Sequence, residues 1–148
     1  MITHKVSVTV AKPSAQVFKF IGTDYFANHP RWDHKVIKED LLSNKPVAVG
    51  TRGQETRRDG KGTASYAFQV TEFKEGSQMA FKATGEHARL STSYTVTPLD
   101  GTQTQLGVDF AMQMTGFMRL FERFMAVGVK NEVDTTLAKI KKLIESQP

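Results

Sequence analysis

The chain has no cysteine, which excludes disulfides and thiolate metal sites. Long apolar runs are missing as well. The longest charge-free stretches are about ten residues, Leu90–Leu99 for example, against roughly 20 needed to span a bilayer. Five prolines and eleven glycines fall singly at turn-like points, so no repeat or low-complexity segment is present. Charge of one sign is scarce: 20 basic and 15 acidic residues leave a net +5. The basic clusters, Arg57-Arg58 and Lys139 with Lys141-Lys142, are short and lack interleaved aromatics. Nucleic-acid binding is therefore not expected, and no stable membrane insertion is expected either. Met1–Val10 contains neither a long apolar block nor a small-residue cleavage site, so the expected location is cytoplasmic.

At 148 residues, residues 1–148 read as one domain, which buries roughly 68–70% of its unfolded surface. His4–Val10 alternates apolar and polar residues, the pattern of a strand with one buried face. Pro13 suits the first turn of a short helix through Val17, Phe18 and Ile21. A second short helix runs to about His29, where Pro30 is read as its end. Val36–Leu42 is a weaker strand, broken at Lys45-Pro46. A strand from Gly50 to Arg57 follows, and Asp59-Gly60 is a hairpin signal. Ala64, Tyr66, Phe68 and Val70 then share a face. So do Met79, Phe81 and Ala83 beyond Glu75-Gly76. Leu90, Thr92, Tyr94 and Val96 form the next strand. Leu106, Val108, Phe110, Met112 and Met114 form the last, after the Asp100-Gly101 turn.

From Phe117 to about Glu145 the periodicity is helical, over about 43 Å at roughly 1.5 Å per residue. Phe117, Phe121 and Met125 form one apolar stripe; Val133, Leu137, Ile140 and Ile144 form another, rotated by about 100°. This predicts a bend or register slip near Gly128. The order is thus strand, two short helices, six strands, one long helix. Hairpin-length connections imply an antiparallel sheet. One helix covers only part of it, so its concave face must close on itself or enclose a cavity.

Several local motifs sit at matching places in that order: Pro13-Ser14-Ala15-Gln16-Val17-Phe18, Asn28-His29-Pro30-Arg31-Trp32-Asp33, Val49-Gly50-Thr51-Arg52, Val70-Thr71-Glu72-Phe73, Tyr94-Thr95-Val96-Thr97-Pro98 and Gly101-Thr102-Gln103-Thr104. With them, nearly the whole chain resembles the START and birch-pollen-allergen-like helix-grip superfamily, and within it the polyketide cyclase/dehydrase-type (SRPBCC) branch. The resemblance implies an α+β fold: a curved seven-stranded antiparallel sheet gripping a C-terminal helix, with two short helices after strand one. It also implies a pocket for lipids, polyketides, sterols or other apolar molecules. Relatives often carry a large apolar residue where this chain has Gly53. A roomier, more polar pocket is expected there, with Glu55 and Arg57 on the same face.

Glu55 and Arg57 either orient a polar ligand group, with Glu55 as proton acceptor, or lie solvated near a sheet edge. Tyr66 and Tyr94 point inward by parity and either hydrogen-bond a ligand or pack the core. Trp32 stands near the cavity mouth or packs the sheet edge, and Asp33 reads as a turn or cap residue. His29 and His34 fall on an expected loop. No nearby carboxylate cluster is expected to complete a metal set with them. His87 is either a base at the pocket rim or a solvated loop residue. Ser91 and Ser93 face outward with no partner histidine, so no nucleophile triad is expected. Gly60-Lys61-Gly62-Thr63 lacks phosphate-loop spacing. No cofactor is called for.

The expected ligand walls are Phe68, Phe81, Tyr94, Phe110, Met112, Phe121 and Met125, with Glu55, Arg57 and Tyr66 giving orientation. Met114, Met118, Phe117 and Phe124 would add adaptable apolar surface. The leading expectation is binding of a small, largely apolar molecule. A polyketide cyclase/dehydrase-type enzyme using Glu55, Arg57, Tyr66 and His87 is the second. The third is a protein-interaction module resembling Hsp90 activators or coenzyme Q-binding proteins, with an exposed apolar patch instead of a deep pocket. Monomer and homodimer both remain open.

Overall fold

The computed structural model describes residues 1–43 and 46–148. Lys45, half of the expected Lys45-Pro46 break, lies outside them. The chain runs β1 (Ile2–Val10), α1 (Ser14–Phe18), a π-helical turn (Lys19–Thr23), α2 (Tyr25–Trp32) and β2 (Val36–Leu41). It continues through β3 (Arg52–Asp59), β4 (Gly62–Lys74), β5 (Gln78–Thr84), β6 (Ala88–Pro98) and β7 (Thr104–Met114). A 3₁₀ helix (Gly116–Phe121) then leads into α3 (Glu122–Glu145). The strands form one sheet in the order β1-β7-β6-β5-β4-β3-β2, every pair antiparallel. β1 and β2 are its two edges, and α1 and α2 carry the chain between them. No helix among the described residues is long and apolar enough to cross a membrane.

The hairpins form where the turn chemistry asks for them. Gly60 (φ 58°) and Gly76 (φ 83°) adopt the left-handed backbone that glycine enters at no steric cost. Between β6 and β7, Asp100 Oδ1 accepts from the amides of Thr102 (2.7 Å) and Gln103 (2.8 Å), an Asx turn. A register shift between Val70 and Glu72 puts Phe73 edge-on against Phe18 (5.4 Å). The alternating apolar residues of β4–β7 face inward. Leu137, Ile140 and Ile144 of α3 are fully buried with Val10, Phe18, Val96 and Leu106. Each such side chain contributes about 1.5–3 kcal/mol relative to exposure.

Two expectations change. α2 does not end before Pro30; it continues through Trp32, and the Asp33 amide donates to the His29 carbonyl (3.0 Å). Proline removes only its own N–H, and the following turn still closes. His29 is therefore on a helix face and not on a loop. The expected register slip near Gly128 is also absent, because α3 is an unbroken helix through that residue. The discontinuity falls earlier, where the 3₁₀ helix meets α3 at Glu122. There the Glu122 carboxylate pairs with the Met1 amino group and accepts from the Met114 amide (2.9 Å), fastening the helix start to β1 and β7. Phe117 and Phe121 of the first apolar stripe face solvent, while Val133 of the second is partly buried and its Leu137, Ile140 and Ile144 are buried.

These placements give opposite expectations for two glycines. A Cβ on Gly53 would lie 2.5 Å from the Phe68 ring and 3.0 Å from the Asp40 carbonyl. Gly53→Ala is expected to cost about 1–3 kcal/mol in urea unfolding through the forced shift. Gly128 has open space around its Cβ position in a helix interior, so Gly128→Ala is expected to stabilise by about 0.5–1 kcal/mol.

Candidate functional site

Between the concave sheet face, α2 and α3 lies a cavity of about 590 Å³. Phe68, Phe81, Tyr94, Phe110 and Met112 line it from the sheet, as the side-chain parity predicts; Met118, Met125, Val129 and Val133 line it from the helical side. Trp32 reaches it from α2, packed on Phe20 and Tyr25. Tyr66 lines it too, its ring lying over Gly85, where a Cβ would come within 2.5 Å.

Two expected wall residues are elsewhere. Gly53 does not widen the cavity; the Phe68 ring fills the space its missing side chain leaves. Phe121 is 44% exposed on the outer surface. Its backbone belongs to the 3₁₀ helix, which presents it away from the sheet, as it does Phe117; Phe124, at the start of α3, is likewise exposed. His87 sits at the cavity mouth, largely exposed, 3.8 Å from Glu86.

One end of the cavity is charged. α2 presents Tyr25, Asn28, His29 and Trp32 on its buried face, the i, i+3, i+4, i+7 spacing of one helix stripe. β2 and β3 place Glu39 and Glu55 directly opposite each other. The side chains of His29, Glu39 and Glu55 are all nearly buried. His29 Nδ1 is 2.6 Å from Glu39 Oε1 and 3.6 Å from Glu55 Oε1, and its Nε2 is 3.7 Å from Asp33 Oδ2. Arg57 Nη1 meets Asp33 Oδ2 at 3.0 Å and Glu55 Oε1 at 3.1 Å. The Tyr25 ring stacks on the imidazole at 4.8 Å.

Like charges opposite each other on neighbouring strands repel, and the two cations offset that repulsion. Burial alone would pull the His29 pKa down. The hydrogen bond and charge of Glu39, then Glu55 and Asp33, outweigh burial and hold it above its ordinary 6.5. Burial raises Glu55 above its ordinary 4.5, against the opposing pull of His29 and Arg57. Glu39 Oε2 is buried without a hydrogen-bond partner among the described residues. Tyr25 and Tyr94, both raised chiefly by burial, line the cavity, and neither hydroxyl has a hydrogen-bond partner among the described residues. A buried phenol normally finds a partner, and here both face open space.

The expectation that no carboxylate cluster stands near a histidine is thus corrected. His29, Asp33 and Glu55 each offer a donor atom within 4.8 Å of the others. The Arg57 guanidinium already bridges the two carboxylates of that set, where a metal cation would have to sit. Asp33 is also the cap residue expected of it, accepting from the Lys35 amide at 3.1 Å. Tyr25 and Glu39 are not singled out by the sequence, and His29 is weighed there only as a loop residue without a metal set. The helical spacing of Tyr25, His29 and Trp32 was the available signal, hidden once Pro30 was read as a stop.

The raised pKa values give the pH dependence its sign. Protonated His29 contributes stability that is complete below its ordinary 6.5 and lost as pH rises through its raised value. For Glu55 the folded state favours the protonated acid, so stability falls as pH rises from 4.5 through its raised value. The melting temperature is therefore expected to decline from mildly acidic to mildly alkaline pH. His29→Gln should flatten the upper part of that decline in a thermal-melt series.

The likenesses to known proteins agree with this geometry. The family model described as polyketide cyclase/dehydrase and lipid transport matches residues 1–145. No curated protein matches in sequence. Among solved structures, a conserved Geobacillus kaustophilus protein is similar with a TM-score of 0.79 at 14% identity, covering 97% of this chain and 95% of that one. A Streptomyces aromatase/cyclase gives 0.77 at 16% identity, covering 97% and 93%. A START superfamily protein from Mycobacterium smegmatis gives 0.71 at 18% identity, covering 98% and 95%. At these identities the structures establish the shared helix-grip fold. Because that family model spans residues 1–145, the chain belongs to the polyketide cyclase/dehydrase and lipid transport family.

Proposed function

We propose that the protein binds a small, largely apolar molecule with its oxygen-bearing end at the charged floor of the cavity. The observation that carries this reading is the pairing of apolar walls with two buried phenols, Tyr25 and Tyr94, that hydrogen-bond to nothing in the protein among the described residues. A volume of about 590 Å³ falls within the roughly 300–1,000 Å³ usual for ligand pockets. A lipid fragment, a polyketide or an aromatic metabolite fits that description. A carbonyl or hydroxyl on it would accept from the phenols and replace the hydrogen bonds they lack.

A second reading, cyclase/dehydrase-type catalysis, rests on the convergence of Glu55, His29 and Arg57 at that same floor. Glu55, raised by burial, suits a base that takes a proton from carbon beside a ketone. The carbanion adds to a second carbonyl of the same chain. Protonation of the resulting alkoxide gives an alcohol; removal of a further proton from the adjacent carbon, with loss of the protonated hydroxyl as water, leaves a double bond. Tyr25 and Tyr94 would hold the carbonyl oxygen where negative charge develops.

Binding is tested by native mass spectrometry of protein purified from its own host, and by thermal shift with apolar ligands. A co-purifying mass, or a raised melting temperature, is expected. Met112→Trp and Leu90→Trp, each placing an indole in the cavity, should abolish that shift while keeping the far-ultraviolet spectrum. Protein that purifies empty and responds to no apolar ligand would sink the proposal. If a poly-ketone substrate turns over, Glu55→Gln should lower kcat by roughly 10²–10⁴-fold while ligand binding persists.

A further inference from the structure

Half of the large exposed apolar side chains among the described residues lie on one short stretch. Phe117 (71% exposed), Leu120 (73%), Phe121 (44%), Phe124 (73%) and Val127 (70%) all face solvent. They span the 3₁₀ helix and the first turns of α3. Burying such side chains is worth more than leaving them wet, and contiguous exposed patches of this kind mark interaction surfaces. The same stretch exposes Arg119, Arg123 and Lys130. The Arg123 guanidinium lies over the Phe124 ring at 5.2 Å. The one acidic residue of the stretch, Glu122, is already engaged by the Met1 amino group and the Met114 amide. The patch is thus apolar, aromatic and positively charged, with no free carboxylate of its own.

We propose that this surface docks the protein on an anionic lipid bilayer, with the phenylalanines and leucine at the acyl boundary and the three cations among the headgroups. Aromatic and aliphatic side chains bordered by Arg and Lys are what an interfacial helix needs. A second copy of the chain is a poorer occupant. A two-fold contact would bury the patch against itself and bring two sets of the same cations together with no carboxylate to answer them. The position of the patch adds a consequence. Met118, Met125 and Val129, on the other side of the same stretch, line the cavity. A docked protein would hold one cavity wall against the bilayer, so an apolar molecule could pass between membrane and cavity with little exposure to water.

The test is flotation of the full chain with phosphatidylcholine vesicles, with and without phosphatidylserine. Binding is expected only with phosphatidylserine present, and it should weaken as salt is raised. Phe117→Ser with Phe124→Ser, and separately Arg119→Glu with Arg123→Glu, should each lower vesicle partitioning by about tenfold or more. Leu99→Ser, exposed in the β6–β7 turn, serves as a control that keeps binding. All these positions are solvent-facing, and circular dichroism verifies the fold of each variant. Wild-type protein that fails to float, or patch variants that float like wild type, overturns the proposal. A wild-type dimer in sedimentation that the same variants dissociate overturns it in favour of self-association. Vesicle-independent capture of an acidic protein, lost in the Arg variants, without flotation, would replace the bilayer with a protein partner.

Discussion

One helix against seven strands is the constraint from which the rest of this molecule follows. The buried face of α3, carrying Leu137, Ile140 and Ile144, fills the concave side of the sheet near β1, α1 and the outer part of β6 and β7. It cannot fill the whole concavity. The space that remains is bounded by Phe68, Phe81, Phe110 and Met112, side chains large enough to line a hollow without closing it. Native cores pack to the density of organic crystals. A hollow of this size in a chain of this length is a feature that side chains of the wall leave open by position, since α2 and the start of α3 stand over it without entering it.

The charged floor has a different origin. Burying three carboxylates, a guanidinium and an imidazole carries a desolvation cost that apolar residues of the same shape would avoid. Its partners are assembled from four places: His29 on α2, Asp33 just after it, Glu39 on β2, and Glu55 with Arg57 on β3. The carboxylates of Asp33 and Glu55 share one guanidinium, and His29 links Glu39 to Glu55. Shifted titratable groups gathered in a cleft make it a candidate functional site. Glu39 Oε2 and the hydroxyls of Tyr25 and Tyr94, which have no hydrogen-bond partner among the described residues, lie at the same place.

Most of the sheet was legible. Strict alternation in β4 to β7 can satisfy only one arrangement, apolar side chains toward the core, and the turn residues Asp59-Gly60, Glu75-Gly76 and Asp100-Gly101 set where the strands reverse. The cavity walls from Phe68 to Met112 follow from strand parity together with the family resemblance. The errors share a cause. Pro30 was read by its local preference, yet a helix anchored by Tyr25, His29 and Trp32 on its buried face continues past it. Phe117 and Phe121 were read by hydropathy, which records what a side chain prefers and not whether the fold has a surface to offer it. Gly53 was read as empty space, and a neighbouring ring occupies it.

By itself, then, the sequence determined the elements, their antiparallel order, the inward face of β4 to β7 and the apolar character of the hollow. These depend on residues near one another along the chain, where spacing and backbone geometry leave few choices. The tertiary structure alone decided the rest. Glu39 and Glu55 meet across a strand pair, His29 reaches both from a helix, and Arg57 returns to Asp33. None of those distances is encoded in a period or a motif. The same holds for the outward-facing phenylalanines: whether an apolar residue is core or surface depends on what the distant parts of the chain leave uncovered.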